Sequence, residues 1–150
     1  MKKISVLFLV ILLCLALPVT AFAFYDGDGS PGNPFIITTA AELDEVREHL
    51  DAHFRLGNDI DLTDYLAPGG DGYAKWGAAG WMPIGGWATS WLSGSFDGNG
   101  YVVRGLWIYR TGGISEVALF GGLSGEISNL GVEIAAAGVI SRPVCTDHGI

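Results

Sequence analysis

Asp59 and Asp61 sit two residues apart, in a stretch whose apolar partners are Ile60 and Leu62. In an extended strand this alternation sends both carboxylates to one face, about 7 Å apart along the chain. Carboxylates so placed could bind calcium or serve as acid and base on a polysaccharide, with Asp97 as a third carboxylate and Arg104 as a base. Aspartates at strand edges also have a plainer use, supplying outward polarity and accepting hydrogen bonds in turns. No histidine or basic residue is spaced to complete a constellation with them, so no catalytic residue, cofactor or metal is assigned.

Two other patterns could reach a metal. His49 and His53 are four apart, one helical turn, but a zinc-protease motif needs a glutamate directly after the first histidine, and Leu50 stands there. Imidazoles in a last helical turn are also favoured by the helix dipole. Asp26 and Asp28 alternate with glycines as in a calcium loop, without the distal glutamate that such a loop requires. The third chemical feature is aromatic. Residues 63–93 form a Gly- and Trp-rich excursion with Tyr73, Trp76, Trp81, Trp87 and Trp91. Exposed indoles on a long loop could stack on sugar rings or anchor a protein, and Trp76, Trp87 and Trp91 are the candidate ligand-binding residues.

The chain that must position these groups begins with Lys2 and Lys3, an apolar run over residues 4–17, Pro18, and the small-residue site Ala21-Phe22-Ala23. This is a secretory signal peptide (1–23), too short to span a bilayer, with cleavage expected before Phe24. No second apolar run follows, so no membrane span is expected after its removal. Acidic residues outnumber basic ones 16 to 8, for a net charge of −8, and loss of the leader removes two lysines more. Such a surface repels phosphate backbones, so no nucleic acid is expected as a partner. Beyond the leader only Cys145 remains, so an internal disulfide is excluded.

Residues 24–53 are expected to form a leader loop, a short strand at 35–37 and a capping helix. Thr39 and Glu42 have the spacing of a capping box, and Ala40, Leu43, Val46 and Leu50 recur as an amphipathic stripe. That stripe must be laid on an apolar partner, since a lone helix of about three turns is marginal in water. Residues 54–140 are expected to be stacked coils. A shift of 24 sets Phe96 on Phe120, Gly98 on Gly122, Val103 on Ile127, Leu106 on Leu130 and Ile108 on Val132. In the first coil, residues 97–100 make a tight turn with positive φ, and Val103, Leu106 and Ile108 enter the core around a bend at Gly105. Short strands with glycine corners predict an all-β fold, a right-handed parallel β-helix of few coils capped by the N-terminal helix. Residues 141–150 lack the corners and core spacing, so the chain is expected to be a truncated piece of a longer protein. A short stack with one open end is expected to be marginally stable or to self-associate.

Several stretches in order, 33–43, 54–62, 81–85, Phe96-Asp97-Gly98-Asn99-Gly100, 119–122 and 127–131, resemble bacterial secreted or surface proteins of the GLUG-motif type. That repeat is also found beside the zinc-dependent immunoglobulin A proteases and in adhesin-like proteins. The resemblance implies the parallel β-helix with its helical cap and carries over no catalytic residue, because the zinc motif is absent. The expected function is therefore a secreted or cell-surface, non-enzymatic, adhesin-like module, binding extracellular glycan or host protein and continuing into further repeats of a longer chain. The alternative is a carbohydrate-active β-helix enzyme, polysaccharide lyase or hydrolase-like, in which Asp59, Asp61 or Asp97 binds calcium or acts as base and a base such as Arg104 converges on the same sheet face.

Overall fold

The structure is a computed structural model that describes residues 24–86, 90–111 and 117–142. The expected leader with its expected cleavage site at Ala21 and Ala23, and also Trp87 and Cys145, lie outside the described residues.

Among the described residues seven strands form two sheets. β1 (Phe35–Ile37), β2 (His53–Leu56), β4 (Ser95–Asp97) and β6 (Glu126–Ser128) make one sheet in that order. β3 (Ile60–Asp61), β5 (Val102–Thr111) and β7 (Gly131–Arg142) make the other, and every pairing is parallel. Parallel neighbours cannot be joined by a tight turn, so helices occupy part of the connections. They are α1 (Ala40–Glu45) with a 3-10 turn over Val46–Glu48, α2 (Thr63–Leu66) and α3 (Asp71–Trp76).

This corrects the expected all-β β-helix. The fold is a mixed α/β arrangement of two small parallel sheets, and two of its helices fall within the stretch expected to be irregular. The repeat of 24 is corrected with it. Phe35 aligns with Phe54, Phe54 with Phe96 and Phe96 with Ile127, steps of 19, 42 and 31 residues. The Val103 partner is Val132, not Ile127. The 24-residue match followed similar corner sequences, whereas the strand ladder is decided by which backbone amides meet between neighbouring strands of a sheet.

Side chains on the ladder form columns. Phe24 stacks on Phe35 at 4.4 Å between centroids, Phe35 meets Phe54 at 5.9 Å and Phe54 meets Phe96 at 6.4 Å. Phe120 adds an edge-on contact to Phe96 at 5.0 Å. The other sheet contributes Ile60, Val103, Leu106 and Ile108, all buried. Leu43 and Val46 add the stripe of the N-terminal helix to the same core. The capping box is present: the Thr39 hydroxyl accepts from the Glu42 amide at 3.2 Å, and the Glu42 carboxylate accepts from the Thr39 amide at 3.0 Å. The helix is shorter than its stripe, however, and gives way to the 3-10 turn at Val46.

Glycine is needed where layers cross most closely. A Cβ on Gly94 would stand 1.7 Å from the Ala52 carbonyl oxygen, and one on Gly125 would stand 1.8 Å from that of Gly94. These are backbone contacts and cannot be relieved by turning a side chain. We expect Gly94→Ala to cost about 1–3 kcal/mol through forced backbone movement. A urea midpoint indistinguishable from wild type would refute this.

Candidate functional site

The buried charge of the described residues centres on a side chain not among the candidates read from the sequence. Asp44, on α1, is the one buried charged residue among those described. Arg47 follows it one turn later and donates from Nη2 to Oδ1 at 2.6 Å. Lys75, on α3, donates to Oδ2 at 2.8 Å, and the Trp76 indole Nε1 donates to Oδ1 at 3.1 Å. The guanidinium of Arg47 also donates to the carbonyls of Met82 (2.9 Å) and Pro83 (3.2 Å), and it lies over the rings of Trp76 and Trp81. One carboxylate thereby ties the N-terminal helix to the Trp-rich excursion.

Burial pushes the Asp44 carboxyl up, but the hydrogen bond from Lys75 and the charge of Arg47 outweigh it and hold the group below its ordinary value. Nearby, burial and the Asp44 charge push the Tyr65 phenol well above its usual range, and among the described residues its buried hydroxyl has no partner at hydrogen-bond geometry. Gly72 lets α3 lie on that ring, where a Cβ would come within 2.4 Å of it. Both groups are thus far from titrating near neutrality. The cluster has the chemistry of a clamp.

The carboxylates singled out from the sequence are surface rungs between strands. Asp59 accepts from the Val102 amide at 2.9 Å and from Arg104 Nη1 at 2.5 Å, while Arg104 Nε reaches Glu133 at 3.1 Å. Asp61 accepts from the Thr63 amide at 2.8 Å. Asp97 accepts from Arg55 at 3.0 Å, from the Asn99 amide at 2.9 Å and from the Asn129 side chain at 3.0 Å. Asn99 and Asn129 themselves occupy the left-handed region, at φ 52° and 53°, which asparagine tolerates. Each of the three aspartates is held below its usual pKa, chiefly by hydrogen bonds: from Val102 for Asp59, Thr63 for Asp61 and Asn129 for Asp97. Hydrogen bonding and charge from Asp59 raise Arg104 further. Asp59, Asp61 and Arg104 therefore do come together, but as ion pairs and turn acceptors, with Asp97 on the other sheet.

The remaining candidates separate. His53 Nδ1 is 2.8 Å from the Ser95 hydroxyl, and His49 lies edge-on to Phe24 at 5.7 Å. Among the described residues no three His, Cys, Asp or Glu side chains are grouped to hold a metal. Asp26 and Asp28 accept hydrogen bonds from the amides of Gly27 and Ser30, as aspartates in turns do. Trp76 is half-buried, its N–H turned to Asp44 and a face covered by Arg47. Trp81 is fully buried and donates to the Leu119 carbonyl. Trp91 is 46% exposed, beside Gly122. The clamp had one sign in the sequence, the i,i+3 pair Asp44–Arg47 on a helix. Its burial depends on α3, 27 residues further on, which local spacing could not announce.

Fold and rungs together define a small module whose layers are tied by ion pairs. No family model matches the chain, and no solved structure matches it. It is 45% identical over 111 residues to a protein of Evansella cellulosilytica whose name describes a Gly-rich membrane protein, and 29% identical over 121 residues to halomucin of Haloquadratum walsbyi. These matches take in 71% and 75% of this chain but 12% and 1% of the two relatives. Among the described residues no helix is long and apolar enough to cross a membrane.

Proposed function

We propose that this chain is a non-enzymatic, adhesin-like module of an exported protein, placed outside the cell or on its surface. The observation that carries the reading is the use made of its charges. Asp59, Asp97 and Arg104, the groups an enzyme would need, are engaged in bonds that connect neighbouring strands. A carboxylate held low is a weak base, and a guanidinium held high resists giving up the proton it would need to lose before acting as one. The names of the two relatives, a Gly-rich membrane protein and halomucin, support placement at the cell exterior, as do the leader and the resemblance to GLUG-motif surface proteins.

The ligand class that fits is glycan. Trp91 offers a rigid amphipathic ring at the surface, suited to the apolar face of a sugar. Titration of the full chain with a glycan panel is expected to change tryptophan fluorescence saturably, and Trp91→Ala is expected to abolish the change while Trp76→Ala does not. Release of unsaturated or reducing ends from an acidic polysaccharide, lost in Arg104→Gln, would overturn the non-enzymatic reading.

A further inference from the structure

The core is closed at one end of the ladder and open at the other. Four apolar pairs run to the open end, and in each the outer member is more exposed than the inner one. Val103 and Leu106 are 0% and 3% exposed, while their partners one layer on, Val132 and Ile134, are 43% and 61% exposed. Leu92 is fully buried, and Leu123, bridged to it in parallel, is 41% exposed. Phe96 is fully buried and its partner Ile127 only partly so. Among the described residues β6 and β7, the last strands of their sheets, pair on one side only.

Charge on this edge narrows what could cover it. Along one face the rungs alternate in sign, Asp59 to Arg104 to Glu133, and Glu133 is the outermost. On the other sheet Glu126 is likewise exposed. Two copies meeting edge to edge would bring these carboxylates together, which charged edges in sheet proteins are placed to prevent. The next rung in the alternation is a cation. The register shifts on both sides of Ile134 and Gly138 takes φ 78°, and the exposed apolar partners, Val132 and Ile134, lie in the part of β7 before that glycine.

We propose that the β6/β7 edge docks one further extended segment in parallel, supplied by a partner polypeptide with apolar residues over Ile127, Val132 and Ile134 and a basic residue over Glu133. The inference rests on the reading of the chain as a non-enzymatic module of an exported protein. Its test is independent of glycan binding. The probe is a labelled synthetic peptide with the sequence of residues 94–111, in which Phe96, Val103, Leu106 and Arg104 have the required spacing. Fluorescence anisotropy with the full chain is expected to saturate. Ile134→Asp and, as a second exposed substitution, Val132→Asp should each weaken binding at least tenfold. Glu133→Lys should weaken it too, and a peptide carrying Arg104→Glu should restore affinity to that variant. Equal binding of a scrambled peptide, indifference to all three substitutions, or a stable dimer of the chain that the peptide cannot dissociate would each overturn the proposal.

Discussion

Replacing Asp44 by alanine will cost about 3 kcal/mol of folding stability, the low end of the penalty for removing one partner of a buried ion pair. The alanine leaves Arg47, whose side chain is only 14% exposed, facing an empty site between two indoles. Lys75 can turn to water, since nearly half of its side chain is already exposed, which is why the upper end is not expected. Chemical denaturation read by tryptophan fluorescence measures the loss and also reports directly on Trp76 and Trp81. Asp44→Asn, which keeps an acceptor without the charge, should fall between. A loss below about 1 kcal/mol, the range of an exposed pair, would show that the clamp is incidental.

The same carboxylate predicts an acid limb. The folded value is below the unfolded one, near 3.9, so the unfolded chain binds a proton first as pH falls. The Asp44 contribution is therefore complete above the ordinary carboxylate range and drains away as pH drops through the depressed value. In Asp44→Ala that part of the acid dependence should be missing.

Phe96→Ala is the second large effect, expected at about 3–5 kcal/mol. Phe96 is fully buried between the Phe54 and Ile127 layers, with Phe120 edge-on, so truncation opens a void lined by side chains from three segments. Those side chains are held by strand pairing and cannot collapse into the gap. Phe35→Ala, at a half-buried position nearer the end of the column, should cost less. The ordering of the two urea midpoints checks the column, and equal losses would mean that the Phe96 site relaxes freely.

Much of the local structure was legible. Thr39 and Glu42 announced a helix start because a capping box is settled within four residues. Phe35 to Ile37 read as a strand, the turn at Asn99 and Gly100 has its positive φ, and Val103, Leu106 and Ile108 are buried around Gly105 at φ 72°. Each depends on neighbours in the chain. The misread features depend on distant ones. α2 and α3 arose inside a loop whose glycines and tryptophans carried no helical stripe, and the fold class changed with them.

The sequence by itself determined the export leader as an expectation, the acidic surface, the corners and which side of each short strand is apolar, because composition and period-two alternation need no tertiary partner. Only the tertiary structure decided the layer steps of 19, 42 and 31 residues, the pairing of Asp59 with Arg104, and the burial of Asp44 beneath Lys75 and Trp76. Register and burial are set where segments tens of residues apart compete to satisfy the same amides and cover the same apolar surface. That competition leaves no mark in the spacing of any one segment.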